Sequence, residues 1–145
     1  MDEQNNIPHF FPEKPQRPTL LTVICILSFR GSGLSGITFF MVYASFEEMA
    51  PMLQELSSGV PGMELFARAT KNFFLAGAVL YLFSYIGINL MWRMKKVGFH
   101  FYTGAQIFIL ALPMIYIPGY PFPILDAILT ALFIGLYAKH YKLFK

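Results

Sequence analysis

The stretch TLLTVICILSFRGSGLSGITFFMVYA, residues 19–44, decides the class of this protein: apolar and small side chains run through it unbroken except at Arg30. A helix needs about 20 apolar residues to cross a ~30 Å hydrocarbon core, and this run exceeds that. Lys14 and Arg17 precede it, and Val42 and Ala44 are small enough for a cleavage site. A secretory signal carries an apolar region of only about 7–15 residues, so the run reads as a retained span.

Composition agrees. The 145 residues are 56% hydrophobic and 13% charged, with a mean hydropathy of +0.54. Ordinary globular domains carry about 25% charged residues, so this chain lacks the charge to cover a soluble surface. Three further apolar runs follow, at 72–92, 97–117 and 122–138. The second ends in Trp92, Arg93, Lys95 and Lys96, an aromatic belt residue followed by basic anchors. The third contains Pro113, which removes one helical hydrogen bond and is expected to kink the span. The segment Ile117–Pro123, IPGYPFP, is a tight turn into the last and shortest run.

The fold class that follows is an all-α integral membrane protein: a four-transmembrane-helix antiparallel bundle with a short interfacial helical loop. Residues 1–18 hold Pro8, Pro12, Pro15 and Pro18 and are expected to form an extended cytoplasmic tail, with Phe10 and Phe11 at the headgroup level. The membrane domain occupies 19–141, and 142–145 is a basic C-terminal tail. In the connector 45–71, Met49, Met52, Leu53, Leu56, Val60 and Met63 recur at spacings of three and four, the period of an amphipathic helix, with Ser57–Gly62 as a break. Lys14, Arg17, Arg93, Lys95, Lys96, Lys139, Lys142 and Lys145 fall on one side of these spans, against Arg68 and Lys71 on the other. The excess places both termini in the cytoplasm of a bacterial-type plasma (inner) membrane.

The chemistry-bearing residues are few. Gly31, Gly33 and Gly36 satisfy G-x-G-x-x-G, but that pattern holds a pyrophosphate only between a strand and a helix, and here apolar span residues flank it. A better account is packing: Ser28, Ser32 and Gly36 recur every fourth residue, with Gly31 and Ser35 on the adjoining row, so a second helix can approach closely. Arg30 cannot shed its charge, and facing lipid it costs about 2.5–3.5 kcal/mol. It lies about 16 Å in from Thr19, and Asp126 about 20 Å back from Lys139, so an ion pair between them is expected. Gln106 and Asn89, with Ser84, Thr103 and Tyr85, are the other polar groups available to a substrate or ion pathway.

Cys25 is the single cysteine and reads as a buried apolar residue. His9, His100 and His140 are scattered, so no metal or cofactor site is expected. No serine or cysteine is teamed with a histidine and an acid, so no enzyme is expected either. The basic residues mark topology rather than nucleic-acid binding.

In length and helix count the chain resembles the small four-helix multidrug-type transporters. It departs from them in carrying Arg30 in the first span, where they place an acidic residue, and in its long connector 45–71. The expected function is a non-enzymatic accessory or scaffold subunit of a membrane complex, its partners being the lipid bilayer and other membrane subunits or a second copy. The alternative is a small secondary transporter or channel using Arg30 and Asp126.

Overall fold

A computed structural model describes residues 17–60 and 63–145; the reading of residues 1–16 as an extended tail lies outside them. Among the described residues the chain is all-helical: α1 (Thr19–Ala44), α2 (Phe46–Gly59), a 3₁₀ turn (Met63–Arg68), α3 (Lys71–Trp92), α4 (Lys96–Tyr116), α5 (Ile124–Lys139) and a second 3₁₀ turn (Tyr141–Leu143). Three of these, α1, α3 and α4, are long and apolar enough to cross a membrane. This is the signature of a membrane protein. At 1.5 Å per residue α5 reaches about 24 Å, about 7 Å less than α4.

The tightest packing joins α3 to α4. A Cβ built on Gly87 would stand 2.6 Å from the backbone nitrogen of Tyr102 and 2.9 Å from the Gly98 carbonyl oxygen; one built on Gly98 would stand 2.6 Å from the Gly87 carbonyl oxygen. Backbone therefore lies on backbone at this crossing. Lipid tails are as apolar as leucine, so helices in a membrane gain little by hiding apolar surface from each other and associate through such close contact. Further along, Phe83 stacks on Phe101 and Phe73 meets Tyr116, so the two helices run antiparallel.

The α3–α4 turn is a Schellman cap. Lys95 N–H donates to the Leu90 carbonyl and Met94 N–H to that of Met91, with Met94 in the left-handed region at φ 61°. The C-terminal residues pack against this turn rather than trailing from it. Phe144 is buried, Lys145 N–H donates to the Met94 carbonyl, and Lys96 N–H donates to that of Lys145.

On its other side α3 meets α1, again antiparallel: Phe29 packs edge-on to Tyr85 and Trp92, and Phe39 to Tyr81. Gly36 faces the Tyr81 Cβ, and Gly77 receives the Phe39 ring. No break follows Arg30. Gly33 and Gly36 are seated against Tyr85 and Tyr81 of α3, and α1 is one continuous helix. Likewise α4 continues through Pro113 to Tyr116.

Two apolar clusters close the ends. The one at the basic end joins Leu21, Ile24, Cys25, Ile88, Met91, Tyr102, Tyr137 and Phe144. The other joins Val42, Ala69, Phe73, Phe74, Leu112 and Ile117, with Phe46, Met49 and Leu53 of α2 against it. Of the expected stripe in 45–71, Met49, Met52, Leu53 and Leu56 lie on α2, and Met49 and Leu53 pack on this cluster. The helix outruns the expected break at Ser57, because the Ser57 and Ser58 hydroxyls donate to the carbonyls of Gln54 and Glu55 at 2.6 and 2.7 Å.

The glycine contacts set a paired expectation for thermal unfolding in detergent. Gly87→Ala or Gly98→Ala should destabilise by about 1–3 kcal/mol, since backbone must shift to admit the methyl. Gly104→Ala, with nothing within 4 Å of its Cβ, should be stabilising by about 0.5–1 kcal/mol through helix propensity.

Candidate functional site

Helices α1, α3, α4 and α5 stand round a polar interior. Its hub is Ser84, fully buried on α3. The Ser84 hydroxyl shares a hydrogen bond with the Ser32 hydroxyl at 2.8 Å and accepts one from Gln106 Nε2 at 3.2 Å, which ties α3 to α1 and α4. One turn below Ser32, the Ser28 hydroxyl accepts from the buried Tyr137 hydroxyl at 2.9 Å and ties α1 to α5. Of the stripe expected for helix packing, Ser28 and Ser32 reach neighbouring helices through their hydroxyls, while a Cβ built on Gly31 would meet nothing within 4 Å. Gly36 rests on Tyr81. Ser28, Gly31, Ser32 and Ser35 line a cavity of about 240 Å³ facing Tyr102, Gln106 and Thr130.

A second cavity of about 220 Å³ adjoins the first and shares Tyr81, Gln106, Leu129 and Thr130 with it. It is completed by Ile109, Leu110, Pro113, Pro123 and Asp126. Asp126 sits in the first turn of α5, where a carboxylate also suits the positive end of the helix dipole. Pro113, which has no N–H to donate, stands on the wall of this cavity, and Asp126 itself is exposed.

The expected Arg30–Asp126 ion pair does not form. Arg30 is exposed and lines a different space, a groove of about 930 Å³ on the outer side of α1 and α3 with Phe29, Leu34, Ile37, Leu82 and Tyr85. The two side chains also point in different directions. Arg30 is two residues from both Ser28 and Ser32, about 160° round the helix from the row that faces α5. Among the described residues no carboxylate pairs with it. Asn89 lines neither inner cavity and is half-buried on α3. Tyr81 and Thr130 line both inner cavities and were missed as site residues; the signal for Thr130 was its place four residues after Asp126 on one helix face.

Comparison with protein-family models, with curated proteins and with solved structures returns no match, so the site stands on its own geometry.

Two hydroxyls separate the roles of this interior. Tyr137→Phe removes the hydrogen bond to Ser28 that ties α5 to α1 and should destabilise by about 0.6–1.7 kcal/mol in equilibrium unfolding. The Thr103 hydroxyl is buried without a partner, so Thr103→Val should be neutral or stabilising by about 1 kcal/mol in the same assay.

Proposed function

We propose that the protein is a four-span membrane protein acting as a non-enzymatic accessory or scaffold subunit of a membrane complex. On this reading α5 is the fourth crossing, short but lengthened by the 3₁₀ turn Tyr141–Leu143 that follows it. The basic end supports an inward orientation of a bacterial-type plasma membrane, with both termini in the cytoplasm. Arg17 lies 4.3 Å over the Trp92 ring, and Arg93, Lys95, Lys96 and Lys145 gather at the same turn. At the opposite end Met52, Leu56 and Val60 of α2 are exposed beside the residues that pack the bundle, an apolar face suited to the membrane surface.

The observation that carries the subunit reading is Arg30. It is a permanent cation at the middle of a span, on the wall of an otherwise apolar groove, with no carboxylate among the described residues to meet it. Left against lipid it costs about 2.5–3.5 kcal/mol. The groove accordingly fits a partner transmembrane helix carrying one carboxylate at the level of Arg30. A second copy of this chain is a poorer fit. Its Asp126 lines a separate cavity, and Glu47, Glu48, Glu55 and Glu64 lie at the other end.

The alternative reading, a small secondary transporter or channel, draws on a different observation: the two adjoining polar cavities between Asp126 and Ser28.

Extraction in a mild detergent should retain a larger membrane partner with the wild-type chain. Arg30→Gln should lose that partner while raising the melting temperature of the isolated protein, because the unpaired charge is gone. A partner-free wild-type monomer, or an Arg30→Gln protein that keeps the partner, overturns the subunit reading.

A further inference from the structure

The Asp126 cavity has a chemistry that the subunit reading does not use. Its polar lining residues are Asp126 and, one turn on, Thr130 from α5, Tyr81 from α3 and Gln106 from α4. Gln106 Nε2 donates to Ser84, which leaves its amide oxygen free to accept or coordinate. Asp126 stands close enough to the Tyr81 hydroxyl for their charges to interact. Arg30 opens onto the outer groove instead, so no side-chain cation of the cavity wall neutralises Asp126. Hard oxygen donors around a single negative charge favour a hard cation of single charge. Around 220 Å³ also leaves room for waters to complete its shell.

We infer that the cavity between α3, α4 and α5 binds an alkali-metal cation through Asp126, Thr130, Tyr81 and Gln106. This stands apart from the subunit reading, which concerns the opposite side of α1. The site also lies where α5 is least held. Tyr137 is the one buried residue of α5, and its contacts belong to the basic-end cluster; the cluster at the other end draws no member from α5. A cation shared by Asp126, Tyr81 and Gln106 joins the loose half of α5 to α3 and α4, so binding appears as stability.

The test is thermal unfolding of the full chain, purified in detergent, titrated with sodium or potassium chloride against choline chloride at equal ionic strength. A saturable upward shift with the alkali salt is expected. Asp126→Asn should abolish it, Ser84→Ala, which frees the Gln106 amide, should weaken the half-saturating concentration by about tenfold, and Arg30→Gln should leave it intact. Should Asp126→Asn fail to fold, Thr130→Val serves in its place, with weakened binding expected. Identical melting in alkali and choline salts overturns the inference. So does a larger response to magnesium or calcium, a response to pH alone, or an alkali-dependent shift that survives Asp126→Asn.

Discussion

The backbone contact between Gly87 and Gly98 is the constraint on which the remaining geometry depends. With neither residue carrying a Cβ, α3 and α4 come together closely enough that Ser84 and Gln106, one or two turns beyond the crossing, meet at hydrogen-bond distance. Ser84 then presents its hydroxyl to Ser32 of α1, and α3 becomes the helix that both neighbours are measured from. Van der Waals contact at short range is what a lipid environment rewards, because hiding apolar surface there brings no gain over lipid itself. A larger side chain at either glycine would separate the helices and with them the partners of Ser84.

From this frame the ends of the molecule diverge. At the basic end, aromatic and aliphatic side chains of four helices interlock with Phe144, and the Lys145 backbone bridges the α3–α4 turn. At the opposite end Phe46, Met49 and Leu53 of α2 pack on the apolar cluster, to which α5 contributes no member. Asp126 stands in the first turn of α5, where the positive end of the helix dipole suits a carboxylate, on a cavity that Tyr81, Gln106 and Thr130 also line.

Arg30 marks a contrasting solution. Its side chain stands on the outer wall of α1 and α3, in a groove whose other walls are apolar, so the surface is electrostatically incomplete as an isolated chain. Arg30 and Asp126 thus line separate spaces, one on the outer face of α1 and α3 and one between α3, α4 and α5.

Much of this was legible in the residues. Unbroken apolar runs announce α1, α3 and α4, because length and hydrophobicity alone determine whether a helix suits a bilayer. The period of Met49, Leu53 and Leu56 announces α2, and the Ser28–Ser32–Gly36 row announces a helix contact. Even the outward direction of Arg30 was implicit, since a residue two positions from that row must point away from it. Depth is a one-dimensional quantity that counting supplies, and it paired Arg30 with Asp126. Azimuth follows only once neighbouring helices are placed, and their placement rests on Gly87, Gly98 and Gly77, whose role is the absence of a side chain. Sequence by itself therefore determined which segments are helices and how far along each a charge lies. Tertiary structure alone decided which polar groups share a space, because that depends on how closely and at what rotation the helices pack.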